Sequence, residues 1–472
     1  MNTILLRPTD ILFFRDGRPM SGASAGHGAA WPLPTVINHA FHAALHRAGD
    51  IFQNAHPHCL GRNGIYGDAG RRDRRFGSLA TAGPFPVSTA NADPTWYFPR
   101  PADADDSGSA VLAPHPSAAP SSLVAPCKYP VTSTRPPSKG TPKSWWSLGA
   151  WNSYLRTAQV PQPPGRSVFI SDGDFADTEH TYGIGINPDT GTVEEGQFYS
   201  ANYLRLRDGW QLGVLASAAD KKFHHPVHGD DLVRTLLNGH GAEIIAGGQQ
   251  RVCTATLEPS RNGGLPLPLG RTDGFHQQDG HWLVKWVLLS PAIWPEIPGG
   301  ASRGGETIHA HPGGWLPNWV SLDWDAETAT VHPNKDNGRV LLKLRMGNRR
   351  RDYTGPRVKR VSDEGEAEIR THLVAAIVPK PIPVTGWALA NDSDRPQGGA
   401  KSTHLAVPAG AVYYFEAESE TDAKNLAAAL NWHGSDTQPT TIRNRRSTLM
   451  GEKGFGLGVC GTWDFFPGTR PQ

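Results

Sequence analysis

Residues 407–466 limit the fold more than any other stretch. "VPAGAVYYFEAE" has the β-branched and aromatic density of a buried strand, carried by Val412, Tyr413, Tyr414 and Phe415. "TDAKNLAAALNWHG" then sets Leu426, Ala429 and Leu430 on one helical face, with Thr421 as a start signal and Gly434 as a stop. A basic glycine-rich segment, "TTIRNRRSTLMGEKGFGLG", leads into a last strand, "GVCGTWDFF". The tail therefore reads strand, helix, basic glycine loop, strand.

Gly456, Gly458 and Gly461 spell G-x-G-x-x-G, the dinucleotide fingerprint. That motif works only where a strand passes through the glycines into a helix whose N-terminus holds a pyrophosphate. Only 11 residues follow Gly461, and they open with Thr462, Trp463 and Asp464, so no crossover helix can form. The loop enters a strand instead. Beside Arg443, Arg445, Arg446 and Lys453, exposed backbone N–H groups and cations would suit a phosphate chain. The alternative is a packing role, in which Gly454 to Gly461 only shape the final strand.

The amino-terminal end has a related order. "TILLRP" and "DILFFR" read as short strands, followed by the loop "GRPMSGASAGHGAAWPLP". In "TVINHAFHAALHRAG" Val36, Ile37, Ala40, Phe41, Ala44, Leu45 and Ala48 recur at helical spacing. "GQFYSANYLRLRDGWQLGVLAS" predicts a hairpin turning at Asp208 and Gly209, and "AEIIAGGQQRVCTATL" a second one turning at Gly247 and Gly248. "HWLVKWVLLSPAIW" is a buried strand opening a second unit. Residues 99–143, rich in Pro, Ala and Ser, predict a surface insertion, and 259–280 and 295–317 predict linkers.

Composition narrows the function classes. The chain has 472 residues, enough for two folded units, and its 53 Gly and 41 Pro predict many loops. Lys plus Arg number 46 against 44 Asp plus Glu, so any nucleic-acid contact must use a local patch. Cys59, Cys127, Cys253 and Cys460 have no zinc or redox spacing. With no export signal or apolar span in the sequence, a cytoplasmic protein without membrane contact is expected.

Several constellations carry alternatives. His39, His42 and His46 could share one helix face and hold a metal, but Ala43 stands where a zincin needs its base; a solvated or RNA-facing surface fits better. "HGDD" at 228–231 resembles the paired aspartates of a cyclase palm, yet "GDDLVRTLLNGHG" reads as a helix with Asp230 and Asp231 at its start. Lys343, Arg345, Arg349, Arg350, Arg351, Arg357, Lys359 and Arg360 form a basic run opposed by Asp352 alone. Trp145, Trp146 and Trp151 read as core or subunit interface.

The chain resembles the RAMP proteins of CRISPR systems, which carry a glycine-rich loop between last helix and last strand. Within them it is similar to the third-subunit family of the Cmr complex, the type III-B RNA-guided effector. The resemblance lies in "LLRPTDILFFRDGRP" and "PLP", then in "GINPDTGTVEEGQFYS", "GGQQR", "LLSPAIW", "GGWLP", "VTGW" and "VPAGAVYYFE". It implies an α+β fold of two ferredoxin-like (RRM-like) domains, 1–265 and 280–472, the second with a basic insertion at 343–360 and the glycine loop at 451–461. It implies a non-catalytic subunit holding the repeat-derived 5′ tag of the guide RNA, beside the large palm-domain subunit and the adjacent backbone subunit. The implied RNA-binding residues are Arg15, Arg18, Gly26, His27, Arg443, Arg445, Arg446, Lys453, Gly454, Phe455, Gly456 and Gly458, with no catalytic residue, metal or cofactor. Two alternatives remain: a metal-independent endoribonuclease with His27 as general base, and a scaffold with little RNA contact.

Overall fold

The computed structural model describes residues 1–14, 25–26, 29, 31–48, 79–104, 112–116, 123–133, 143–157, 168–218, 231–238, 241–259, 263–301, 307–345, 366–388 and 399–469. They form an α+β fold with many strands and few helices. The principal elements are β1 (Asn2–Pro8), α1 (Pro34–Arg47), β2 (Ala80–Ser88), β3 (Thr95–Pro99), β4 (Trp145–Ser147), α2 (Leu148–Thr157) and β5 (Phe169–Ile170). Next come β6 (Ala176–Ile186), β7 (Val193–Leu206), β8 (Trp210–Ser217), α3 (Leu232–Leu236), β9 (Ala242–Ile245) and β10 (Val252–Leu257). The second half supplies β11 (His276–Gln278), β12 (His281–Leu288), β13 (Thr371–Ile377), β14 (Val412–Ala417), α4 (Glu420–Leu430) and β15 (Gly458–Thr462). Among the described residues, no helix is long and apolar enough to cross a membrane.

The first sheet runs β9-β10-β1-β8-β2-β3-β4-β5, and the second runs β11-β12-β14-β13 with β15 also on β12. Both contain one connectivity. Numbering four strands of each half in chain order, β1, β2, β8, β10 and β12, β13, β14, β15, the spatial order in both is fourth, first, third, second, with antiparallel neighbours throughout. The halves differ at the first crossover. α1 joins β1 to β2, whereas among the described residues between β12 and β13 no helix occurs.

Strand periodicity explains the layers, because successive side chains point to opposite faces. Ile4 and Leu6 of β1 join Leu212 and Val214 of β8 against Ile37, Phe41 and Leu45 of α1. Val284, Trp286, Tyr413 and Phe415 of the second sheet likewise meet Leu426, Ala427 and Leu430 of α4. The alternate residues, Leu5 and Leu215 in one sheet and Leu283, Val287, Val412 and Tyr414 in the other, share a third cluster with Trp151, Tyr154 and Leu155 of α2. One core thus spans both halves, with α1 and α4 on the outer faces. Trp145, Trp146 and Trp151 are all buried there or in the first core, as core members.

A charge pair sits in this central layer. Lys285 Nζ lies 2.9 Å from Asp103 Oδ2, and the two side chains are 1% and 0% exposed. The Tyr154 hydroxyl donates to the same carboxylate at 2.6 Å, and the Lys285 ammonium lies 4.0 Å from the centre of the Tyr154 ring. Burial lowers the Lys285 pKa, an effect opposed by Asp103, and raises that of Tyr154.

Several sequence expectations are corrected. Residues 99–143 are not merely a surface insertion, because Asp103 and Ala104 are buried and the Lys128 and Tyr129 amides donate to Val374 O. The expected linkers are packed too: Leu267 and Leu316 are buried, and Pro268 O accepts from the Trp432 indole. The strands flanking Asp208 and Gly209 exist but do not pair with each other. β7 pairs β6, while β8 pairs β1 and β2, so that turn passes between sheets. "DILFFR" contributes only an isolated bridge from Leu12 to Leu204. The hairpin of β9 and β10 forms as expected, and Gly247 takes φ +85 in its turn. α4 is capped by Ser419, which accepts from the Asp422 amide and precedes the expected Thr421 start.

Candidate nucleic-acid interface

The basic segment after α4 has to close a helix end before it can present anything to solvent, since the last carbonyls of a helix lack internal partners. Asn444 Nδ2 donates to Ala428 O at 2.9 Å and to Asn431 O at 2.7 Å, and Arg446 Nε donates to Ala429 O at 2.7 Å. Arg446 is therefore engaged at the helix terminus, where a cation also meets the favourable end of the dipole. Burial holds its pKa down to about 10. Arg443 is exposed and pairs with Asp436 at 3.1 Å.

A 3-10 turn, Gly451–Lys453, follows, flanked by Met450 at φ 60 and Gly454 at φ 97. The loop amides are engaged inside the protein: Gly454 N with Gly451 O, Phe455 N with Met450 O and Gly456 N with Pro291 O. Leu457 N donates to the Ser290 hydroxyl at 2.9 Å. This corrects the expectation that these amides reach a phosphate chain bare. Phe455 is fully buried with Ile293, Val384 and Ala406, so its ring is not available for base contact. A Cβ at Gly456 would run into the Ser447 backbone nitrogen, and one at Gly458 into the Trp286 indole. Those glycines serve close packing of the last strand. A Cβ at Gly454 would stand 3.0 Å from Thr81 O and 3.3 Å from Pro34 Cβ, which shows the loop lodged against β2 and the start of α1.

What remains for a ligand is a cationic surface at the junction of the two halves. Arg445 packs its stem over Gly451, while its Nε and one terminal nitrogen are buried without a hydrogen-bond partner. Burial pushes its pKa down to about 10, against the pull of Glu452. Nε and a terminal nitrogen can form the side-on fork that grips an oxyanion. Lys453 Nζ reaches across to His39 Nε2 of α1 at 3.3 Å. Lys401 lies close enough to lower the pKa of both His39 and Lys453. Lys401 carried no signal in the sequence; it is a single lysine after a short strand, and only folding places it here.

Arg15, Arg18 and His27 lie outside the described residues. Gly26 forms part of a two-residue strand, Ala25–Gly26, parallel to β7 and opposite Ala201. Asp231 of "HGDD" is an N-cap: its Oδ1 accepts from Val233 N at 3.0 Å and Ala218 N at 3.1 Å. Asp230 lies outside the described residues. Among the described residues no group of three His, Cys, Asp or Glu side chains could hold a metal ion. Of the basic run, Lys343–Arg345 pairs with Glu366–Glu368, and residues 346–365 lie outside the described residues.

Comparison with known proteins gives no match among curated sequences. Solved structures give distant likenesses. A chain of the type III-B Cmr-beta complex bound to cognate target RNA aligns with TM-score 0.38 and 13% identity, over 87% of this chain and 86% of that one. The same complex with AMPPnP gives 0.37 and 12%, with the same coverage. A chain of the Csm1-Csm4 cassette with AMPPNP gives 0.23 and 13%, over 66% of this chain and 94% of that one. The family model described as CRISPR-associated protein (Cas_Cmr3) matches residues 4–463, which include both sheets and the glycine loop. The chain therefore belongs to the Cas_Cmr3 family of CRISPR-associated proteins.

Proposed function

We propose that the protein is a non-catalytic RNA-binding subunit of a type III-B effector complex, holding the 5′ repeat-derived tag of the guide RNA. The shared strand order of the two sheets is read as two ferredoxin-like units, the first with its crossover helix and the second with no helix among the described residues of that crossover. The large palm-domain subunit and the adjacent backbone subunit are its proposed neighbours. The observation that carries the RNA reading is the cationic junction. Lys453 and Lys401 both act on His39 there, and Arg445, packed over the start of the turn that carries Lys453, keeps two buried donors without partners. Single-stranded RNA held through its backbone needs such a surface, because phosphates attract it regardless of base sequence.

Incubating the purified protein with labelled repeat-derived RNA tests the reading. Retention without cleavage is expected. Metal-independent cleavage that disappears in His27→Ala would establish the endoribonuclease instead. Neither retention nor cleavage would leave the scaffold role.

A further inference from the structure

Three segments far apart in sequence meet beside the glycine loop. α1 brings His39 and His42, the residue after the short strand Gly399–Ala400 brings Lys401, and the 3-10 turn brings Lys453. Lys453 and His39 stand at hydrogen-bonding distance, 3.3 Å. An ammonium has only donors, so it can bond this ring nitrogen only while His39 is neutral there and offers its lone pair. The other charges around the ring act the same way. Partial desolvation, then Lys453, Lys401 and His42, push the His39 pKa down to about 4. Glu452, on the same turn as Lys453, offsets that lysine and Arg445. α1 also packs on β9 and α3, which carry Glu243 and Arg234. Desolvation and the neighbouring cations together thus keep His39 neutral.

We propose that His39, Lys401 and Lys453 form one phosphate seat, in which an arriving phosphate oxyanion places a proton on His39, so that RNA binding takes up a proton. The inference rests on the RNA reading for its ligand, and the chemistry is simple. The lysine ammoniums turn to the phosphate oxygens, Nε2 loses its donor, and one proton from solvent bonds to Nε2, which then donates to the same phosphate. No bond of the RNA breaks. A group whose pKa rises on binding strengthens binding as pH falls from the bound pKa toward the free one. If the bound value reaches the ordinary histidine range or slightly above, affinity rises roughly four- to tenfold from pH 8 to pH 6.

Two measurements test it. The first is an NMR titration of the His39 ring in the whole protein, with and without inorganic tripolyphosphate, a probe that does not depend on RNA. Its pKa is expected to rise by about one unit or more, and not to rise in the Lys401→Ala, Lys453→Ala double variant. The second is the affinity for repeat-derived RNA between pH 8 and pH 6, for the wild type and for His39→Gln, which keeps an acceptor and cannot titrate. The wild-type slope is expected to vanish in His39→Gln. An unchanged His39 pKa with tripolyphosphate overturns the seat whatever RNA does. RNA retained with the same slope in His39→Gln also overturns it while leaving the RNA reading standing. A pKa rise without RNA retention keeps the seat and sinks the RNA reading.

Discussion

Two charged clusters in this molecule use similar residues in opposite ways. In the central core Lys285 and Asp103 face each other at 2.9 Å, with Tyr154 closing the carboxylate, and both charges are out of water. At the junction surface Lys453 and Lys401 act on His39, and Glu452 acts on both Lys453 and Arg445. The core cluster is closed, because each charge has its partner and leaving water is tolerable only on that condition. The surface cluster is not closed in this way, because two buried nitrogens of Arg445 have no hydrogen-bond partner in the fold. Charge alone does not mark a binding site; charge left without a partner in the fold is the better guide.

The sharpest way to break this comparison is to unpair the core. Asp103→Ala should destabilise the protein by about 3–5 kcal/mol, because Lys285 is left buried without a counter-charge. Adding Lys285→Met should recover most of the loss, read by chemical denaturation. A single variant as stable as wild type would show that the pair is not structurally required.

The glycine loop offers the next largest effect. Gly458→Val should cost about 1–3 kcal/mol through overpacking against Trp286, while the folded fraction binds RNA normally. Affinity and thermal stability measured on the same protein decide the matter: lost affinity at unchanged stability would return this glycine to the RNA surface.

On the open cluster the balance should reverse. Arg445→Met and Lys453→Met keep the aliphatic stems, so stability should move by no more than about 0.5 kcal/mol. Each should lower the log–log salt slope of RNA binding by about 0.7. Unchanged slopes would remove both from the interface. The smallest effect is expected at Arg443, whose exposed pair with Asp436 contributes at most about 1 kcal/mol. Arg443→Ala should change the salt slope less than Lys453→Met does, and a larger change would move the interface toward Asp436.

Much of the scaffold was legible because it depends on short-range pattern. The continuous apolar and aromatic runs of β12, β14 and β15 and the helical spacing in α1 and α4 are set by which residues must leave water, and the structure places those elements where the pattern does. Pairing was less legible. β7 and β8 flank a good turn at Asp208 and Gly209, yet each finds a better partner elsewhere, and local sequence does not encode that competition.

The candidate site divides the same way. By itself the sequence determined that a basic segment and a glycine loop lie between a helix and a strand, and that the glycines lead into the strand rather than into a helix. Only the tertiary structure decided which groups are free. It drew Arg446 to the carbonyl of Ala429, buried Phe455, engaged the loop amides and set Trp286 against Gly458. It also brought His39 and Lys401 to Lys453 from distant parts of the chain. The physical reason is that a side chain's role depends on whether its hydrogen-bond and charge partners are met within the fold, and those partners are fixed by packing, not by neighbours in sequence.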